Sequence, residues 1–463
     1  MKKYAKRLMA LGLVLALVLS LAACGGSAAS TQSASAETAA ETAGSAPAPE
    51  VPAAPETPEE AASVEAAPAE AAYNTNYKGM TTYADIAEQL RADQTLDLNG
   101  LDSQMFKITG YAQGYSFDDA WFGSIAQMVN SGEQVILASG SADFAFNFGN
   151  LPRTASETEI RVGGVDSLTQ AFADLLDGGV YTFCSGSYPS MIAPAVAILL
   201  RGLEEDKLVD AEGNAAAVTM SHLVAHSPEE LQEIMTEDAE GNYAFSAGVL
   251  STLMDADYDT FMDMTANSDW DKVKNVKAEF GGAEVKKLSK EYKIGLLRND
   301  VTSDEALAYE AYLNYLAKEL GFSITFSEST EGNATNEVNQ IQTWAAAGYD
   351  AVISMTSGSV YDQATTCQDN DLLFVAYAAH PEEDDLVDLR ALDNYLGAVG
   401  PSKYNEAEAG YRMAKYYIEQ GYTDFAIFGG SIMFGAEQHA YRVGGMMAAM
   451  IEYESGIPCP DFQ

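Results

Sequence analysis

The chain has 463 residues, of which 68 are Asp or Glu and 25 are Lys or Arg, so its formal net charge at pH 7 is −43. This balance excludes nucleic acid as a partner, because binding phosphates depends on clusters of Lys and Arg that the chain lacks. The length allows two or three packed units after any leader segment.

The first 24 residues have the three regions of an export signal. Four basic residues precede an apolar run from Leu8 to Leu21, which is too short to span a bilayer. The run closes with Leu21-Ala22-Ala23-Cys24, which resembles the bacterial lipoprotein box, in which the cysteine is lipidated and becomes the first mature residue. The resemblance implies a signal peptide over 1–24 and a lipid anchor on Cys24. We therefore expect an extracytoplasmic protein held on the outer face of the bacterial cytoplasmic membrane.

Residues 25–72 have a composition typical of a linker. They are almost entirely Ala, Ser, Thr, Glu, Pro and Gly, with Val51 and Val64 as their only large aliphatic residues and no aromatic residue. Such a segment cannot bury enough apolar surface to offset the entropy of ordering its backbone. We predict a disordered tether between the membrane anchor and the globular part.

The globular part begins with alternating strands and helices. The apolar runs in its front half predict strands over 105–111, 134–139, 160–166 and 180–187. The spacing of apolar residues predicts helices over 118–130 and, after Pro189, as far as Leu203.

The alternation is clearest after residue 291. The sequence predicts strands over 293–297, 322–326, 350–354, 372–377 and 396–399. Helices are predicted over 304–320, with Gly321 as its stop, and over 336–347. Strands joined by helices of this length need crossover connections, so the sheet should be parallel with helices on both faces. Ligands of such sheets bind beyond the carboxyl ends of the strands. Those ends carry Asn299 and Asp300, the stretches 329–333 and 356–359, and Tyr377.

Three stretches between residues 292 and 456 carry a family resemblance. In the first stretch, the helix 340–347 leads through Gly348-Tyr349-Asp350 into a strand. In the second, the run from Val399 to Gly410 has the form of a crossover between lobes. In the third, the strand 425–428 precedes Arg442-Val443-Gly444-Gly445. In this order and spacing they resemble the type I periplasmic binding proteins of the sugar-binding class. The resemblance implies two Rossmann-like lobes, each a parallel sheet flanked by helices. It also implies a small polar ligand, a sugar or a related compound, captured between the lobes and delivered to an ABC permease and ATPase complex.

The order of the resembling parts is permuted. The front half resembles the second half of the family, with Ile160 to Asp166 similar to its Val-x-Gly-x-Asp strand. We therefore predict that 73–255 forms the larger part of the second lobe, 256–290 an exposed joining segment, 291–400 the first lobe and 401–463 the start of the second lobe. Two alternatives stay open at this stage: two incomplete copies that associate, or an incomplete binding-protein fragment.

The resemblance also selects candidate ligand-binding residues. Asp166 would accept hydrogen bonds from ligand hydroxyls and Arg442 would donate to the ligand, although a strand-end Asp can equally cap a helix and Arg442 could be a solvated helix residue. Five further candidates follow from loop position alone: Asn299, Asp300, Ser357, Ser139 and Tyr188. Trp121 follows a polar loop and is a candidate stacking ring, with a core position as the alternative.

The sequence favours a binding protein over an enzyme. It contains no Gly-x-Ser-x-Gly elbow and no Walker loop, and its cysteines and histidines lack the spacing of a metal site. We therefore expect no catalytic residues, no metal and no cofactor. A ligand-sensing subunit for a membrane receptor or kinase is the alternative to transport, and the sequence does not separate the two.

Overall fold

Two six-stranded sheets organise the described part of the chain. The computed structural model describes residues 86–88, 98, 100, 103–113, 134–140, 160–179, 181–267, 269–330, 332–356, 359–377, 383–429, 438–459 and 462. The predicted signal peptide (1–24), the linker (25–72) and the helix over 118–130 lie outside these residues.

The first-lobe sheet contains the strands β5 (Ala216–Thr219), β7 (Lys293–Leu297), β8 (Ser323–Phe326), β9 (Ala351–Ser354), β10 (Leu373–Tyr377) and β11 (Tyr395–Gly400). The second-lobe sheet contains β1 (Lys107–Ala112), β2 (Val135–Ala138), β3 (Arg161–Ser167), β4 (Tyr181–Ser187), β6 (Leu223–Ala225) and β12 (Asp424–Phe428).

The described helices are α1 (Gln170–Asp177), α2 (Ala193–Leu203), α3 (Pro228–Glu237), α4 (Ala247–Asp255), α5 (Tyr258–Thr265), α6 (Trp270–Phe280), α7 (Asp304–Leu320), α8 (Ala334–Ala346), α9 (Val360–Gln368), α10 (Glu383–Arg390), α11 (Lys403–Glu419) and α12 (Gln438–Ser455). A 3-10 turn, Pro189–Ile192, connects β4 to α2.

Both sheets have the same internal order. The first-lobe order is β5-β11-β10-β9-β7-β8, with every pair parallel. Numbered in chain order from β7, its five main strands read 2-1-3-4-5, a common order in doubly wound α/β folds. The second-lobe order is β1-β12-β2-β3-β4-β6, which reads 2-1-3-4-5 only when β12 is counted as the first strand. The predicted fold class, two Rossmann-like lobes in a permuted chain order, is confirmed.

Strand β12 brings the front and back segments of the described chain into one sheet. It pairs in parallel with β1 on one side and with β2 on the other, with Phe425 opposite both Ile108 and Val135. The front and back segments therefore share one sheet and are not two separate partial modules. Phe462, the last described residue, packs against the apolar cluster that contains Leu98, one of the first described residues.

The chain passes between the lobes more often than the sequence indicated. Helix α2 packs on β9, β10 and β11, and β5 pairs with β11, so these parts of the segment predicted as second lobe belong to the first lobe. Residues 193–201 of α2 are all buried. A helix that is apolar on every side needs partners on every side, which explains its position between layers.

The joining segment over 256–290 is not the exposed connection that the sequence suggested. It contains α5 and α6, and it buries Phe261, Met264 and Val273 in the same core cluster as α2. The charged positions that made the segment look solvated lie on the outer faces of these two helices, while their few apolar residues point inwards.

Candidate functional site

A cavity of about 330 Å³ lies where the carboxyl ends of the two sheets face each other. The first lobe contributes the loop after β7, the first two turns of α7 and the ends of β8, β9 and β10. The second lobe contributes the end of β4 and the first turns of α11 and α12, while His222 comes from the connection between β5 and β6. The volume lies at the small end of the range for small-molecule sites.

Arg442 forms the second-lobe floor of the cavity. Its Nε donates to Oε2 of Glu406 at 2.6 Å, and its Nη1 donates to the carbonyl oxygens of Ser139 at 2.6 Å and Val165 at 3.4 Å. Both charged side chains are buried, with 8% of Arg442 and 4% of Glu406 exposed. The guanidinium is therefore held in one orientation by the carboxyl ends of β2 and β3 and by α11.

The close approach of α11 and α12 makes this ion pair possible. A β-carbon at Gly445 would overlap the carbonyl oxygen of Ala407, and one at Gly410 would overlap the carbonyl oxygen of Arg442. The two helices can pack backbone to backbone only because glycine occupies both positions. The short interhelical distance brings Arg442 within hydrogen-bonding distance of Glu406.

Two histidines lie beside this pair. Nε2 of His222 is 3.1 Å from Oε2 of Glu406, and Nδ1 of His222 is buried with no hydrogen-bond partner among the described residues. Nδ1 of His439 is 3.0 Å from Oγ of Ser139. Burial, followed by the nearby charge of Arg442, lowers the pKa of His439 to about 4. His439 is therefore neutral at neutral pH.

The first-lobe wall combines aromatic rings with a second ion pair. Arg298 donates from Nη1 to Oε2 of Glu310 at 2.8 Å and from Nε to the carbonyl oxygen of Ser327 at 3.0 Å, with its guanidinium 5.0 Å from the centre of the Phe326 ring. The hydroxyls of Tyr309 and Tyr377 lie 2.8 Å apart, and burial raises the pKa of both. Both tyrosines therefore stay protonated and can act as donors.

A hydrogen bond connects the lobes directly across the cavity. The hydroxyl of Ser187, at the end of β4, donates to Oε1 of Glu305 in the first turn of α7 at 2.6 Å. This bond shows that the walls of the two lobes are in contact in this structure.

The structure separates the predicted site residues into three groups. Asn299, Asp300 and Arg442 line the cavity, as does Tyr377. Ser139 lies behind Arg442 and supports it through its carbonyl oxygen. Tyr188 is buried in the core, with its ring 5.9 Å from that of Trp270 and its hydroxyl 3.5 Å from Nδ2 of Asn267.

The remaining candidates cannot be placed as side chains. Asp166 lies in β3, one residue from its carboxyl end, but its side chain is outside the described residues. Ser357 and Trp121 also lie outside them. Their roles as ligand-binding residues stay predictions.

Several cavity residues were missed from sequence. Glu305 and Tyr309 lie one turn apart at the start of α7, so the helix that follows β7 could have indicated them. Glu406 belongs to the crossover stretch that carried the family resemblance, but nothing in its spacing distinguishes it from Glu408. His222 had no local signal, because the short strands on either side of it were not predicted.

The described residues include neither a membrane-spanning helix nor a metal-binding cluster. In that part of the chain, no helix combines the length and apolar character needed to cross a bilayer. No group of three or more His, Cys, Asp or Glu residues there is arranged to hold a metal ion.

Comparison with known proteins finds similarity only among solved structures. Neither a protein-family model nor a curated protein matches the sequence. A LacI family transcriptional regulator from Silicibacter pomeroyi is 17% identical with a TM-score of 0.28, and the match spans 36% of this chain but only 56% of the regulator.

Two ABC transporter solute-binding proteins also show similarity. The one from Agrobacterium vitis, bound to α-D-tagatopyranose, is 11% identical with a TM-score of 0.36, and the match covers 75% of this chain and 87% of that one. The one from Actinobacillus succinogenes, with bound D-allose, is 10% identical with a TM-score of 0.21, and the match covers 70% and 92%. These proteins have the type I periplasmic binding protein fold that the sequence predicted. All three TM-scores are below 0.5, and it is the strand order of the two sheets that defines the fold.

Proposed function

We propose that the chain is an extracytoplasmic solute-binding lipoprotein that captures a small polar ligand, a sugar or a related compound, between its two lobes. It would deliver this ligand to an ABC permease and ATPase complex while Cys24 anchors it to the membrane. The protein would act by binding and not by catalysis.

The observation that supports this proposal best is the cavity shared by the two lobes. Its walls combine the Phe326 ring and two tyrosine hydroxyls on one side with an oriented guanidinium on the other. Apolar ring faces and a few fixed polar groups are what a small polyhydroxyl compound needs from its site. Because residues from both lobes line the cavity, a ligand there would favour the geometry in which the lobes are in contact.

The proposal is tested by a thermal-shift screen of the full chain, purified in detergent, against sugars, polyols, nucleosides and amino acids. A ligand at one hundred times its dissociation constant should stabilise the protein by about 2.7 kcal/mol. The site is tested with Ala306→Trp, because Ala306 lines the cavity and a large ring there would fill it. Ala311→Trp, on the exposed face of the same helix, is the matched control.

We expect Ala306→Trp to abolish the ligand-induced shift and Ala311→Trp to retain it. A screen in which no compound stabilises the protein would contradict the proposed function. A shift that is equal in both variants would place the ligand elsewhere. Delivery to an importer is tested separately, by uptake of the radiolabelled ligand in cells with and without the protein.

A further inference from the structure

We propose that Thr330 is a positioning residue of the binding site, whose hydroxyl fixes the Asn299 side chain as a hydrogen-bond donor towards the cavity. The inference rests on the proposed function, since it specifies which chemical group of the ligand Asn299 receives. That group must be an acceptor, such as a hydroxyl, ether or carbonyl oxygen. An ammonium group does not qualify, because it has hydrogens to donate but no lone pair.

The orientation of the Asn299 amide follows from its partners. Its side-chain oxygen, Oδ1, accepts a hydrogen bond from the backbone amide of Gly332 at 3.1 Å. A backbone N–H group can only donate, so this contact identifies the oxygen and excludes the flipped amide. The Thr330 hydroxyl donates to the same oxygen. Oδ1 is therefore held against the loop that follows β8 (residues 327–333).

The nitrogen of this amide, Nδ2, is the part that a ligand can use. Asn299 lines the cavity and its side chain is exposed. Nδ2 makes no hydrogen bond to another residue of the described part of the chain. An amide that rotated freely could present either its oxygen or its nitrogen. With Oδ1 engaged by the loop, Asn299 offers the ligand two N–H donors and no acceptor.

Thr330 is itself held in place by its backbone. It is only 3% exposed and does not line the cavity. Its backbone amide donates to the carbonyl oxygen of Arg298 at 3.1 Å. Its carbonyl oxygen accepts from the backbone amide of Asn333 at 3.0 Å and from Nδ2 of Asn336 at 3.3 Å. The hydroxyl is therefore fixed behind Asn299 and acts on a ligand only through that residue.

A buried carboxylate is the other acceptor near the Thr330 hydroxyl. Oε1 of Glu337 lies 3.4 Å from Oγ1 of Thr330, which is longer than O–H···O hydrogen bonds in proteins usually are. The other oxygen of Glu337, Oε2, accepts from Nε2 of Gln363 at 2.8 Å. A hydroxyl has a single proton, and that of Thr330 is therefore directed at Asn299, whose Oδ1 can only accept.

The test is isothermal titration calorimetry of the full chain, purified in detergent, with D-glucose, D-galactose, D-ribose, myo-inositol and adenosine. Thr330→Val keeps the shape of the side chain but lacks the hydroxyl, and it should weaken the tightest probe about threefold or more, because the amide is no longer preorganised. Thr330→Ser keeps the hydroxyl and should stay within about twofold of the unmodified protein. The matched control is Thr343→Val, which removes an exposed hydroxyl from α8 and should leave the affinity unchanged.

A double-mutant cycle distinguishes positioning from a purely structural role. Asn299→Ala removes the amide, and in this background Thr330→Val should change the affinity by less than about twofold. Asn299→Asp keeps an acceptor for Thr330 and Gly332 but replaces the N–H donors with an oxygen, so it should weaken binding about tenfold or more. Thermal melts establish that each variant is folded. Thr330→Ala, which removes the same hydroxyl, replaces Thr330→Val in the cycle if the valine variant does not fold.

Three results would overturn the inference and leave the proposed function intact. The first is an unchanged affinity in Thr330→Val, and the second is an equal loss from Thr330→Val with and without the Asn299 amide. The third is an unchanged affinity in Asn299→Asp, which would show that the amide does not donate to the ligand. If no probe binds to the unmodified protein, the proposed function fails and the inference fails with it.

Discussion

Arg442 and Glu406 join the two helices that face the cavity, with Nε of the guanidinium 2.6 Å from Oε2 of the carboxylate. The same carboxylate oxygen lies 3.1 Å from Nε2 of His222, which belongs to a connection between the lobes. Glu406 therefore links α11, α12 and an interlobe segment at one point. The predicted ligand-binding arginine is fixed by a buried carboxylate that the sequence did not single out.

The first prediction concerns the cost of separating this pair. Arg442→Met should lower the free energy of unfolding by about 3–5 kcal/mol, because it removes the guanidinium that is paired with the buried Glu406 carboxylate. The double variant Arg442→Met/Glu406→Gln should lose at least about 1 kcal/mol less than the sum of the two single variants. Urea denaturation measures all three. Additive losses would mean that the two residues are not coupled.

The second prediction concerns the packing of α11 on α12. Gly445→Ala should destabilise the protein by about 3 kcal/mol or more, because its β-carbon would meet a backbone carbonyl that cannot move without shifting α11. Gly282→Ala is the matched control, since a β-carbon there meets nothing within 4 Å. Thermal and urea denaturation should show that Gly445→Ala is clearly less stable than Gly282→Ala. Equal stability would show that the helices can move apart without cost.

The third prediction concerns pH. The pKa of His439 is lowered from 6.5 to about 4 in the folded protein, so between these values the unfolded chain binds more protons than the folded one. The stability contributed by neutral His439 is complete above pH 6.5 and is lost as the pH falls towards 4, by at most about 3 kcal/mol. Melting temperatures measured across this range should fall less steeply in His439→Asn. An identical slope in the variant would assign the acid sensitivity to other groups.

The fourth prediction compares a predicted ligand-binding residue with a core residue. Asp166→Ala should weaken ligand binding by about 1.5–3 kcal/mol with little effect on folding, if its carboxylate accepts hydroxyl hydrogen bonds. Tyr188→Phe removes a hydroxyl that faces Asn267 in the core, and it should leave the affinity unchanged. Calorimetric titration with the ligand found by screening measures both. An unchanged dissociation constant in Asp166→Ala would make that residue a structural one.

The fifth prediction concerns the membrane anchor. Cys24→Ser should abolish incorporation of radiolabelled palmitate and release the protein from the membrane fraction, because acyl chains supply the attachment. Ser27→Ala leaves the lipoprotein box unchanged and should be labelled normally. A Cys24→Ser protein that still incorporates the label would rule out Cys24 as the lipidated residue.

Much of the local structure could be predicted from the sequence. Helix α7 begins and ends where it was predicted, because Ser303 caps its first turn and Gly321 ends it with a φ of 92°. The strands on either side were found as short apolar runs to within a residue or two. Strands β5 and β6 were missed, because four and three residues are too few to show a period.

The sequence by itself determined the type of most elements, the parallel connection of the predicted strands and the order of the stretches that resemble the two lobes. These properties depend on local periodicity, on connection length and on the order of recognisable stretches, and all three can be read along the chain. It also placed Asn299, Asp300 and Arg442 at the ends of elements that meet in one cavity.

Only the tertiary structure decided which charges meet. With 68 acidic residues in the chain, sequence order cannot show that Arg442 pairs with Glu406 or that Arg298 pairs with Glu310. These pairs depend on how α11 packs against α12 and on how the loop after β7 folds back over α7. The net charge that a ligand meets is what remains after such pairing, and it is therefore a property of the folded protein.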